Sequence, residues 1–395
     1  MEYIFSDKLN SLKPSAIREI LKNSGNSIPF SAGNPSPLSF PVDAIRELSA
    51  DIFQNNSTAA LQYSITEGYA PLIESVAARL KSRFNIDTDH NPVIITSGGQ
   101  QGIELACKAF CNEGDTVICE NPSFIGALNA FRSLGTNLVG IDIEGDGISP
   151  EKLDLALTEN PRAKLIYLIP TFQNPRGTTT SLEKRKAIYE VALRHKVMIL
   201  EDNPYGELRF SGEEIPTLKS MDTEGIVIYC SSFSKILSAG MRVGFVSAPE
   251  AVIQKMVVAK QCEDVHTNIF FQMLCHRFMT EYDFDGHIKG ICDLYGRKCA
   301  LMMSELDKNM PKEITHTVPD GGLFVWLTMP AGSDMLGYIK ACTAAGVSAV
   351  PGIAFNADTE ASSDSFRITY ATPSDEDIVK GIGIMADVAK NWIKS

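Results

Sequence analysis

Ser231-Ser232-Phe233-Ser234-Lys235, with Gly240-Met241-Arg242-Val243-Gly244 close behind, is the stretch on which the reading of this chain turns. The apolar run at 226–230 leads into it and predicts a buried strand, and a second short strand at 245–247 follows the glycine-bounded loop. Lys235 is therefore expected in a turn at the end of a core strand. A lysine held there by stiff structure is desolvated, and a neutral amine is a nucleophile able to form a Schiff base with an aldehyde. Two serine hydroxyls and the forked donors of Arg242 within a short span suit a phosphate. An amine for an aldehyde beside donors for a phosphate fits pyridoxal 5'-phosphate. Taken alone, the pentapeptide is a short match, and a solvated loop lysine is its commoner meaning; the rest of the chain decides.

Composition narrows the class. The 395 residues are 44% hydrophobic and 21% charged, as in a globular protein with length for two domains. A formal net charge of -12 argues against a nucleic-acid surface. Nine cysteines stand singly, without a C-x-x-C pair, which points to reduced thiols in a cytoplasmic protein rather than a disulfide framework. Six dispersed histidines indicate no metal site. Residues 1–8 lack a cationic start followed by an apolar core, and no apolar run of about 18 residues occurs, so neither export nor membrane insertion is expected.

Taken in order, the pattern predicts a short helix at 14–22, with Arg18 off its apolar face, then a Gly/Asn/Pro-rich loop at 28–35. Helices are expected at 43–56 and 70–84, separated by an irregular loop at 61–68. Strands then alternate with helices: strands at 93–96, 116–119, 137–141, 165–169 and 197–200, helices at 101–110, 123–134 and 182–195. Such alternation specifies an α/β fold whose mainly parallel sheet is covered on both faces. Ligands bind where such strands end. There stand Ser97-Gly98-Gly99-Gln100-Gln101-Gly102, a glycine-rich turn into a helix that offers amides to an anion, then Asn174-Pro175-Arg176-Gly177, Asp202-Asn203-Pro204-Tyr205 and the lysine loop. A long helix at 285–310, a strand entered through 320–327, a helix at 335–345, strands at 347–350 and 366–370 and a final helix at 376–393 predict a smaller α/β unit. The expected domains are 43–285, large, and 286–395, the connecting helix and small domain, joined by the N-terminal segment 1–42.

The ordered set Asn174-Pro175-Arg176-Gly177, Asp202-x-x-Tyr205, Ser232-x-Ser234-Lys235, Arg242-x-Gly244 and Phe366-Arg367-Ile368 resembles the class I and II aminotransferases, fold type I enzymes of pyridoxal phosphate. The likeness spans nearly the whole chain. Ser15-Ala16-Ile17-Arg18-Glu19, paired with 97–101, is similar to the branch of 2-aminoadipate and kynurenine aminotransferases. The resemblance implies a large domain with a seven-stranded type of sheet. It makes Lys235 the Schiff-base lysine, Asp202 the partner of the pyridine nitrogen, and Tyr205 and Asn174 the partners of the ring's phenolic oxygen. It stacks Phe124 on the ring. Phosphate contacts are implied for Gly99, Gln100, Ser232, Ser234 and Arg242, and for the partner subunit's Tyr63, which would make the active unit a homodimer with sites at its interface. Arg367, assisted by Gly33 and Asn174, would hold the substrate α-carboxylate, and Arg18 its distal group. The implied reaction passes the amino group of an L-amino acid of 2-aminoadipate, aromatic or aliphatic type to a 2-oxo acid such as 2-oxoglutarate, with ping-pong kinetics. A C–S β-lyase or a decarboxylase shares this constellation. A non-catalytic regulator of the same fold would carry a DNA-binding segment ahead of motifs that here begin by residue 15.

Overall fold

The computed structural model describes residues 3, 4 and 27–392, so the helix expected at 14–22, Arg18 included, lies outside the described residues. The aliphatic runs of the first 250 residues pair into one sheet. Its strands are β1 (Val93–Thr96), β2 (Thr116–Asn121), β3 (Asn137–Glu144), β4 (Gly147–Ile148), β5 (Ala163–Leu168), β6 (Met198–Asp202), β7 (Val227–Ser232) and β8 (Gly244–Ser247), in the order β1-β8-β7-β6-β5-β2-β3-β4. The central run from β7 through β6, β5 and β2 to β3 is parallel, and β8 is antiparallel to both its neighbours. Seven strands match the expected type; the two-residue β4, folding back on β3, makes an eighth at the edge. Every residue of β7 and β8 is buried, which is why these strands read as continuous apolar runs rather than as alternating ones.

The helices of this larger part of the chain begin with α1 (Val42–Asn55), the one-turn α2 (Ser57–Leu61) and α3 (Ala70–Phe84). Then come α4 (Gly99–Phe110), α5 (Ile125–Ser133), α6 (Pro150–Glu159) and α7 (Leu182–His195). Ser181 explains the clean start of α7: its hydroxyl accepts from the Lys184 amide, satisfying one of the unpaired donors of the first turn. After the sheet come α8 (Glu250–Gln261) and α9 (Ile269–Glu281), which with α6 and α2 were not expected. In α9 the large apolar groups Ile269, Phe270, Phe271, Met273, Leu274 and Phe278 surround the helix, so no single stripe marks it.

The long α10 (Phe284–Asn309) leads to a second, antiparallel sheet of β9 (Thr315–His316), β10 (Phe324–Thr328), β11 (Val350–Pro351) and β12 (Ser365–Thr369), ordered β11-β12-β10-β9 and packed with α11 (Met335–Ala344) and α12 (Asp375–Trp392). The strand expected at 347–350 is corrected. Only Val350 begins a ladder strand, because Val347 forms an isolated parallel bridge with Ile28 instead. The Ile28 amide donates to the Gly346 carbonyl (2.8 Å), Ser348 donates to Ile28 (3.1 Å) and Thr369 to Phe30 (3.0 Å), so the segment from 28 to 30 is tied to this smaller sheet.

One close approach holds the first strand–helix turn against the lysine loop. A Cβ built on Gly244 would lie 2.6 Å from the Gly98 carbonyl carbon and 2.7 Å from the Gly99 nitrogen, both backbone atoms that cannot swing aside. Gly244→Ala should therefore lower stability by about 1–3 kcal/mol, the usual cost of overpacking. A denaturant midpoint unchanged from that of the native protein would show that the two backbones are not in contact.

Candidate active site

The loops that follow β1, β5, β6 and β7 open on one side of the sheet and, with residues 33–34, Phe324 and Arg367, enclose a cavity of about 360 Å³. Twelve of the residues singled out in the sequence line it: Gly33, Gly99, Gln100, Phe124, Asn174, Asp202, Tyr205, Ser232, Ser234, Lys235, Arg242 and Arg367. Tyr63 does not. It is 81% exposed and borders a separate surface depression with Asn56, Gln62 and Tyr69. Arg18 is outside the described residues.

One wall is built for an anion. Gly98 takes φ +82° and gives α4 no side-chain cap, which leaves the first amides of the helix, at its positive end, facing the cavity. Gln100 turns its side-chain amide away to the Gly126 carbonyl (2.8 Å). Arg242, itself in the left-handed region at φ +53°, donates to Ser234 Oγ (3.3 Å) and to the carbonyls of Ala239 (3.2 Å) and Ser97 (3.4 Å). A Cβ on Gly98 would sit 2.2 Å from an Arg242 nitrogen, so only glycine leaves room for the guanidinium there. Ser232 Oγ donates to Ser234 Oγ (2.7 Å). Helix amides, two hydroxyls and a guanidinium thus converge on one corner.

The floor carries charges held away from water. Asp202, at the end of β6, is buried, and burial pushes its carboxyl up to about 7, opposed by the hydroxyl of Tyr167, which donates to Oδ2 at 2.7 Å. Lys235 Nζ donates to the Gly33 carbonyl at 2.6 Å. Burial above all, then the nearby charges of Arg367 and Arg242, lower its amine from 10.5 to about 8. Arg367 is 3% exposed; its NH1 donates to Asn174 Oδ1 (2.8 Å), its NH2 to the Ser31 carbonyl (3.2 Å), and its guanidinium lies 4.1 Å over the Phe324 ring. Its Nε has no partner, and burial lowers its pKa to about 10. A buried cation with a donor unmet and, among the described residues, no carboxylate against it is suited to receiving one.

Tyr167, Glu120 and Gln173 were missed by reading the sequence. Glu120, on β2, accepts from the Ile169 amide (2.9 Å) and from Gln173 Nε2 (3.3 Å), and burial raises its carboxyl to about 7. The one signal was a hydroxyl or carboxylate inside an otherwise aliphatic strand run, and nothing local says what such a group meets.

The sequence model of the family described as "Aminotransferase class I and II" matches residues 26–383. The chain belongs to the class I and II aminotransferases. Among characterised relatives, this aminotransferase is 36% identical to aromatic-amino-acid aminotransferase 1 of Thermococcus litoralis, over all of this chain and 95% of that protein. It is also 36% identical to 2-aminoadipate transaminase of Thermus thermophilus, over 96% of this chain and 94% of that one. The solved structure of Pyrococcus horikoshii kynurenine aminotransferase is 35% identical and superposes with a TM-score of 0.95, covering 99% of this chain and 98% of that chain. The two-sheet architecture is therefore fold type I.

The amine of Lys235 gives this aminotransferase a titration to check. In the protein freed of bound small molecules, the neutral, reactive form of Lys235 should grow in as pH rises through about 8, because its pKa is lowered from 10.5. An amine-directed acylating reagent, read by peptide mapping, should label Lys235 with a midpoint near that pH, ahead of surface lysines. A midpoint shared with the surface lysines would show that the cavity does not desolvate it.

Proposed function

We propose that the enzyme moves the amino group of an L-amino acid of 2-aminoadipate, aromatic or aliphatic type to a 2-oxo acid such as 2-oxoglutarate, in two half-reactions of ping-pong form, on pyridoxal 5'-phosphate. The observation that carries the reading is that one cavity brings together a poised amine, a buried carboxylate, an anion corner and an arginine with an unmet donor. Relatives named for aromatic amino acids and for 2-aminoadipate bracket the donor class. The residues fit the cofactor: the corner left open by Gly98 takes a phosphate, and Lys235 takes an aldehyde. When bound, pyridoxal phosphate supplies that aldehyde and an electron-withdrawing pyridinium ring.

The roles are those that the resemblance implies, and the chemistry of each residue suits its role. Gly99, Gln100, Ser232, Ser234 and Arg242 hold the phosphate through amides, hydroxyls and charge. Asp202 keeps its negative charge toward the pyridine nitrogen, Asn174 and Tyr205 bond the phenolic oxygen, and Phe124 supplies an apolar wall. Arg367 clamps the substrate α-carboxylate, with Gly33 alongside: a Cβ there would meet an Arg367 nitrogen at 3.8 Å. Lys235, whose lowered pKa of about 8 gives it a larger neutral fraction near physiological pH than a surface lysine has, takes the proton from the substrate α-carbon and returns it to a neighbouring atom. Asn174 and Arg367, bonded to each other, set the plane in which the substrate lies.

A homodimer completes the proposal. Leu61, at the end of α2, and Tyr63 and Ile65 just after it are all exposed, as apolar groups are where a second surface covers them, and the partner subunit's Tyr63 would then reach the phosphate corner. The smaller unit is taken as 286–395 with the N-terminal segment 1–42, the larger as 43–285. Nine cysteines in the thiol form suit a reducing cytoplasmic setting. No helix among the described residues is long and apolar enough to cross a membrane.

Mixing the loaded enzyme with glutamate and no acceptor should release one 2-oxo acid per site, with the cofactor's absorbance changing in step and no free ammonia. Ammonia or pyruvate formed repeatedly from a thioether amino acid would instead identify a lyase. Arg367→Ala should depress every donor, since all share the α-carboxylate. Arg18→Ala should lower kcat/KM for glutamate or 2-aminoadipate by about 10- to 150-fold, the worth of one charged hydrogen bond, with much less effect on aromatic donors. Equal losses across donors would reject a side-chain role for Arg18.

A further inference from the structure

Asp202 has one side-chain partner among the described residues, and it lies on the neighbouring strand. In the β5–β6 ladder Tyr167 stands opposite Leu200, so Tyr167 and Asp202, two residues further on, share a face of the sheet. The Tyr167 ring is fully buried and packs edge-on to Phe131 at 5.4 Å, which fixes where its hydroxyl can reach. That hydroxyl meets Oδ2 of Asp202 at 2.7 Å, leaving Oδ1 as the carboxylate's free oxygen in the cavity wall.

We propose that Tyr167 is a positioning residue for transamination: it clamps Oδ2 of Asp202, so that Oδ1 is the oxygen offered to the cofactor's ring nitrogen and the carboxylate stays ionised. The proposal rests on the reading of Asp202 given above. A tyrosine suits the task because its phenol can only donate to a carboxylate, and a buried carboxylate otherwise drifts toward its neutral acid. The other titratable groups that feel Asp202 are Glu120 on β2, Cys230 on β7 and Tyr205 in the loop after β6. None of the three is a cation, and Cys230, facing Asp202 across the ladder, donates instead to the Gly99 carbonyl at 3.5 Å. The cations Lys235 and Arg242 line the same cavity, and Asp202 is not bonded to either. Tyr167 is thus the group placed to favour the charged form.

The test compares the holoenzyme with Tyr167→Phe and Asp202→Ala, each loaded with pyridoxal phosphate carrying 15N at the ring nitrogen. Tyr167→Phe should lower kcat of the half-reaction on the order of 10-fold, the loss of one hydrogen bond to a charged group, with KM nearly unchanged. Losing the donor raises the pKa of Asp202, and the reaction needs its ionised form. The acid limb of the pH profile should therefore move up, by about one pH unit, and the 15N resonance should move toward that of unprotonated pyridine. An isosteric 3-fluorotyrosine at 167, a stronger donor, should shift the limb the opposite way and decides the matter should the phenylalanine variant fold poorly. An unmoved pH limb and 15N resonance in Tyr167→Phe, with both lost in Asp202→Ala, overturn the role of Tyr167 alone. An unchanged 15N resonance in Asp202→Ala overturns the Asp202 reading, and the Tyr167 proposal with it.

Discussion

The close passage of two backbones, Gly98 and Gly99 beneath Gly244, is the constraint on which the site depends. It brings the start of α4, from the loop after β1, against the loop that follows β7, although β8 lies between β1 and β7 in the sheet. A side chain at Gly98 or Gly244 would push these segments apart, and the helix amides would no longer share a corner with Ser232, Ser234 and Arg242. Gly102 repeats the device one turn into α4, where a Cβ would lie 2.7 Å from Cys230 Sγ on β7. Three small residues therefore let a helix sit directly on the sheet and aim its positive end at an anion.

Desolvation does the rest. The same walls that shape the cavity remove Lys235, Asp202 and Arg367 from water, and each responds in the direction that disfavours its charge: the lysine and arginine fall, the aspartic acid rises. Hydrogen bonds then separate the roles. Tyr167 draws Asp202 back toward the anion, whereas Lys235, among the described residues, bonds a carbonyl and no carboxylate, so nothing there holds it in the charged form. Arg367, sandwiched near Phe324 and Phe355 and bonded to neutral oxygens, keeps an unmet donor for a carboxylate.

The N-terminal segment illustrates how a loop becomes part of a site. Residues 28–30 are pinned by backbone bonds to 346–348 and 369 in the smaller unit. That anchoring carries Ser31 and Gly33 to Arg367 and Lys235, so a stretch far from the lysine loop in the chain supplies carbonyl acceptors to both cations. The turn of Ser31, Gly33 and Asn34 follows from a composition too rich in glycine and proline for regular structure.

From the sequence alone came the alternation of strands and helices, the expected lysine turn after β7, and twelve of the fourteen singled-out residues that the fold gathers in one cavity. The turns are legible because strand ends are marked by abrupt changes from aliphatic residues to glycine, proline and polar groups, and ligands of parallel sheets gather at those ends; the individual residues, Gly33, Phe124 and Arg367 among them, were picked out by the resemblance to the aminotransferases. What only the tertiary structure decided was contact between strands. Helix α9 was hidden because apolar groups surround it, and the strand expected at 347–350 was shortened by a bridge to Ile28, more than 300 residues away. Tyr167 was hidden for the same reason: within its own run it is one aromatic in a buried strand. Its partner is set by the register of β5 on β6, a long-range pairing that no local pattern encodes.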